Sequence, residues 1–89
     1  MIILCRFNLF AMDQRIYALN ETTGETTDLG SGNLFDIANL MIDAANSPDY
    51  KTNKFHLYGP TQYAEMISKQ IKQNSASKYN NNNIEVEIN

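Results

Sequence analysis

Any chemistry in this chain has to start from few residues: one imidazole (His56), one thiol (Cys5), two arginines (Arg6 and Arg15), five lysines and ten carboxylates. A histidine-based metal site needs a second imidazole or thiolate at ligand spacing, and none exists. His56 stands between Phe55 and Leu57, which makes it a sheet-face residue. Cys5 lies inside the apolar run Ile2-Ile3-Leu4-Cys5. Burial there disfavours the thiolate, the reactive form, so an inert thiol is expected. A single cysteine cannot form an internal disulfide, and nothing here relies on an oxidising compartment. Gly30-Ser31-Gly32-Asn33 precedes a helical pattern and could hold an anion on its free amides, with Tyr58 at the end of a strand as a second wall. No Lys-Ser/Thr pair follows, so it is not a P-loop. Neither a metal nor a cofactor is expected.

The carboxylates are unevenly spread. Residues 1–49 hold Asp13, Glu21, Glu25, Asp28, Asp36, Asp43 and Asp49 against Arg6 and Arg15, a balance of −5. Residues 50–89 hold Glu65, Glu85 and Glu87 against five lysines, a balance of +2. Phosphate contacts require Lys and Arg, so the acidic half argues against direct nucleic-acid binding. It suits a protein partner with a basic surface. The acids of the hairpins and first helix, Asp13, Glu21, Glu25, Asp28, Asp36 and Asp43, are the expected contact residues.

The elements that carry these groups follow from periodicity. Eighty-nine residues make one domain, 1–89. Ile2–Phe10 is almost entirely apolar and reads as a central strand buried on both faces. Arg15–Asn20 reads as an antiparallel second strand, and Glu25–Leu29 as a third beyond a turn at Gly24. Gly30-Ser31-Gly32 breaks the sheet. Asn33 then caps a helix, with Asp36 in the capping-box position and Leu34, Ile37, Ala38, Met41 and Ala45 as the buried stripe. Ser47-Pro48 ends that helix. Lys54–Gly59 is a fourth strand, and Pro60 opens a second helix that buries Tyr63, Ala64, Ile67 and Ile71. The polar, low-complexity stretch Asn74–Asn83 reads as a loop. Ile84, Val86 and Ile88 alternate with Glu85 and Glu87 in a last strand whose acids face water and discourage edge-to-edge pairing.

The order βββαβαβ gives a two-layer α/β (α+β) fold, a mixed five-stranded sheet with two helices. It resembles the ribonuclease H-like (actin-like) fold, which implies sheet order 3-2-1-4-5; another α+β sandwich with the same element order is the alternative. Nucleases of that fold hold two metal ions on carboxylates from the first strand, first helix and fourth strand. The first strand here offers Cys5, Arg6, Phe7 and Asn8, and the fourth offers His56, Leu57 and Tyr58. Only Asp36 has suitable chemistry, so nuclease activity is not expected. Phosphate-binding hairpins of actin-like ATPases are glycine-rich, whereas Asn8–Asp13 contains no glycine.

Crossover helices of this topology tend to pack on one sheet face, and no third helix is encoded for the other. That face would expose apolar groups, among them Leu4 and Tyr17, and could serve a partner or a homodimer through the sheet; the alternative is that the two helices lie on opposite faces and leave neither bare. Twelve asparagines with many Ile and Lys are what an AT-rich genome encodes. In size and charge the chain resembles phage-type small acidic inhibitors, such as anti-CRISPR and other anti-defence proteins. The resemblance implies a non-enzymatic protein that blocks a nucleic-acid-binding complex. The alternatives are a small-ligand or nucleotide-binding domain and a structural subunit of an assembly. The N-terminal apolar run is cut by Arg6 and Asn8, too short to span a membrane and without a basic signal-peptide start, so a cytoplasmic location is expected.

Overall fold

Period-two alternation decides which side of each strand meets the helices. A computed structural model describes residues 1–89 as β1 Ile2–Arg6, β2 Gln14–Leu19, β3 Thr26–Gly32, α1 Ile37–Ala45, β4 Lys54–Tyr58, α2 Thr61–Tyr79 and β5 Glu85–Ile88. The strands form one mixed sheet in the order β3-β2-β1-β4-β5. β1 pairs antiparallel with β2 and parallel with β4, and β4 pairs parallel with β5.

Both helices cover the same face. Ile3 and Cys5 of β1, Ile16 and Ala18 of β2, and Phe55 and Leu57 of β4 share one buried cluster with Ile37, Met41, Ile67 and Ile71 of the helices. The helices are also joined at their surface. Asp43 of α1 accepts Lys78 Nζ at 2.7 Å and Tyr79 Oη at 2.5 Å from α2. Partial burial opposes ionisation of Asp43, but the hydrogen bonds from Lys78 and Tyr79 outweigh it and hold the carboxyl below the usual range. No helix is long and apolar enough to cross a membrane.

Several boundaries differ from those read in the sequence. The first strand ends at Arg6 instead of Phe10, and Leu9 and Phe10 stand exposed in the β1–β2 loop. β1 is also not buried on both faces: Leu4 is half-buried on the side without helices. Gly30-Ser31-Gly32 does not break the sheet. It continues β3, with Gly30 opposite Ile16 and Gly32 opposite Gln14 beyond a register shift at Ile16/Tyr17.

Asn33 does cap, its Oδ1 accepting the amides of Phe35 (2.9 Å) and Asp36 (3.0 Å), but it closes a turn ahead of α1, whose helical residues begin at Ile37. On α2, Tyr63 is not buried, being 36 % exposed. The largest correction is Asn74–Asn83. Its first six residues are the last turns of α2, anchored by the buried Ser75, and the helix stops where Asn80 adopts φ 51°, a left-handed cap that asparagine tolerates.

Candidate interaction face

Placing both helices on one side leaves the other sheet face bare. Along its middle lie Ile2 and Leu4 from β1, Tyr17 and Leu19 from β2, and His56 and Tyr58 from β4, all buried or half-buried by one another. Leu4 and Tyr17 are direct cross-strand partners, so the structure brings these two expected contact residues together. Arg6 lies over the Tyr58 ring at 5.4 Å from its centroid. His56 Nε2 meets Glu87 Oε2 at 2.9 Å, and the His56 and Tyr58 rings stand edge-on at 6.2 Å. This arrangement fixes the imidazole between a carboxylate and a phenol without presenting a serine or thiol nucleophile. Cys5 points to the helices on the opposite face.

Two hollows mark the face. One of about 920 Å³ lies toward the ends of β1 and β4, under the β1–β2 loop, with Leu4, Arg6, Tyr17 and Tyr58 in its lining. A smaller one of about 400 Å³ lies toward their beginnings, between Ile2, Glu21, Lys54, His56, Glu85 and Glu87.

The six expected acids are dispersed. Asp13 lines the larger hollow and Glu21 the smaller. Glu25 is exposed at the foot of β3, at the end of the sheet opposite Asp13. Asp28 projects from β3 and is held by both oxygens to Arg15 at 2.9 Å. The Gly30 amide first, and Arg15 second, hold its carboxyl below the usual range. Glu21 binds the N-terminal ammonium at 2.8 Å and Lys54 at 3.5 Å, and the hydrogen bond from the terminus depresses its pKa. Asp36 is exposed ahead of α1, whereas Asp43 is half-buried between the helices. Glu21, Asp28 and Asp43 are thus already occupied by cations of the chain itself.

The alternative ligand site does not assemble. Gly30, Ser31 and Gly32 are strand residues, Asn33 spends its side chain on a turn, and β2 and β1 intervene between β3 and the Tyr58 strand. No three of His, Cys, Asp and Glu are grouped so as to hold a metal ion.

Charge also sorts by layer rather than by sequence half. Asp36, Asp43, Asp49 and Glu65 balance Lys51, Lys69, Lys72 and Lys78 on the helical side, so the net −3 falls on the sheet and its hairpins. The sequence reading missed Glu85 and Glu87 as part of this face. Their alternation with Val86 and Ile88 was the available signal, because it places both acids opposite the core.

Burial pushes the Cys5 thiol up to about 12. The native protein should therefore ignore a disulfide reagent at pH 8 and react stoichiometrically once unfolded. Rapid labelling of the native state, followed by absorbance, would show that β1 is not where it is described.

Comparison with family models, with curated proteins and with solved structures gives no match.

Proposed function

We propose that this chain is a non-enzymatic binding protein whose uncovered sheet face docks on a protein surface with an apolar centre and basic surroundings. The observation that carries this reading is the placement of both helices on one face. That placement leaves the apolar centre uncovered, with the net −3 carried by the sheet and the loops and turns that join its strands. Apolar contact supplies affinity, and the acids supply orientation and a faster encounter. Glu85, exposed and without an ionic partner beside the smaller hollow, is the acid best placed to receive a lysine or arginine from the partner. Basic surfaces of this kind are typical of nucleic-acid-binding proteins, and occupying one would block it, as a small anti-defence inhibitor does. Kinship with ribonuclease H-like domains is part of the proposal and rests on the element order alone.

The test uses purified nucleic-acid-binding proteins passed over the immobilised chain at about 0.1 M and about 1 M salt, which differ threefold in screening length. Retention should fall at high salt and be lost in Glu85→Lys/Glu87→Lys. Lys69→Glu/Lys72→Glu on α2 should leave it unchanged. Retention that depends on the α2 lysines and not on β5 would overturn the reading.

A further inference from the structure

The β1–β2 loop exposes Leu9 (51 %), Phe10 (101 %) and Met12 (93 %), although three such side chains in a free loop would fold onto the nearest apolar surface. A buried amide holds them out. Gln14 is 2 % exposed, and its Oε1 accepts the Asn8 N–H at 2.6 Å. Its Nε2 donates to the carbonyls of Asn8 at 2.9 Å and Ala11 at 3.3 Å. Asn8 Oδ1 accepts the Phe10 N–H at 3.0 Å. The loop is therefore an ordered finger whose conformational entropy is lost during folding, not on contact, which is the condition for a binding element.

The same chain carries an apolar hollow beside the finger. The hollow of about 920 Å³ on the bare sheet face is walled on one side by the finger itself, through Leu9, Phe10 and Asp13, and on the other by Leu4, Arg6, Tyr17 and Tyr58. Arg6 has no carboxylate partner, and Asp13, at the base of the finger, has no cationic one. We propose that the finger of one chain seats in the hollow of a second copy about a two-fold axis, with Asp13 of each chain meeting Arg6 of the other. An isologous contact requires one surface to carry both halves of the fit, and this surface does. A lipid surface is the poorer occupant, because the finger has no Lys or Arg and Asp13 flanks it. Fourteen residues line the hollow, fewer than the roughly 20–30 a side of a standard interface, so the dimer dissociates on dilution. The dimer covers Leu4, Tyr17 and Tyr58 and so competes with the partner proposed above, while the smaller hollow beside Glu85 stays open.

Sedimentation velocity of the full chain between about 5 µM and about 500 µM spans the micromolar-to-millimolar affinities of a contact this size. The sedimentation coefficient should rise from monomer to dimer. Phe10→Asp, which keeps its fold because the side chain is fully exposed, should remain monomeric throughout, with unchanged circular dichroism. Arg6→Asp and Asp13→Arg should each weaken association at least tenfold, and the double variant should recover it. A wild type that stays monomeric, association that survives Phe10→Asp, or a double variant that does not recover would each overturn the proposal.

Discussion

Phe55→Ala should cost about 3–5 kcal/mol, the usual penalty for deleting a buried aromatic ring. Phe55 is 1 % exposed and is the largest fully buried side chain of the protein. It faces the helices from β4, between β1 on one side, opposite Ile3, and β5 on the other, opposite Val86. The strands cannot close over the space its ring leaves, because backbone hydrogen bonds fix their spacing on both sides. Domain stabilities run about 5–15 kcal/mol, and a chain of this size sits toward the lower end, so the variant should be partly unfolded at room temperature. Urea denaturation followed by circular dichroism would show the loss. Glu85→Ala, on the neighbouring strand but pointing to solvent, should stay within about 0.5 kcal/mol of wild type. A Phe55 variant as stable as the Glu85 variant would mean that β4 does not face the helices.

Gly59→Ala should be nearly as damaging, at about 2–4 kcal/mol, for two reasons that add. Gly59 has φ +143°, a backbone conformation that side chains resist at about 1–3 kcal/mol. An added Cβ would also lie 2.9 Å from Phe7 Cβ and 3.2 Å from its Cδ2. Phe7 is 7 % exposed and its amide bonds to Tyr58 O at 2.7 Å, so neither ring nor backbone can yield cheaply. Gly24→Ala separates the two causes. Its φ is +76° but nothing lies within 4 Å of the added atom, so only the backbone cost remains. Thermal melts should rank Gly59→Ala well below Gly24→Ala, and equal melting temperatures would remove the contact with Phe7 from the account.

The parts of the fold that the sequence made readable are those where side-chain period and burial coincide. β2, β4, β5 and the apolar stripe of α1 follow from alternation or from the 3.6-residue repeat. The Phe7–Phe10 segment misled because Leu9 continues the period of Ile3, Cys5 and Phe7 although the strand has ended. The informative residues there are Asn8 and Gln14, whose side chains close the loop on itself, and local polar closure leaves no hydrophobic period. The last turns of α2 were hidden for the opposite reason. Ser75 is the only residue in them that packs fully inside, and a small polar residue among asparagines has the composition of a loop.

The site was legible in outline and not in membership. The lack of a third helix predicts a bare face, and Leu4 and Tyr17 lie on it. The acids could not be grouped from sequence, because neighbours along the chain such as Asp28 and Asp36 end on different layers, while Glu21, Glu85 and Glu87 line one hollow.

The central position of β1 has a consequence for biosynthesis. One edge of β1 is satisfied early, by β2 within the first hairpin, whereas its other edge waits for residues 55–58, since Ile3 pairs with Phe55 and Arg6 with Tyr58. Ribosomes add about 5–20 residues per second, so roughly 3–10 s separate the appearance of β1 from that of its parallel partner. During that interval an apolar strand, Ile2-Ile3-Leu4-Cys5, has one unpaired edge, and of the two helices only α1 can come to cover its inner side, α2 being still unmade. Nascent chains stalled before residue 54 should be the species that recruit holdase chaperones, and the requirement should disappear once β4 has emerged.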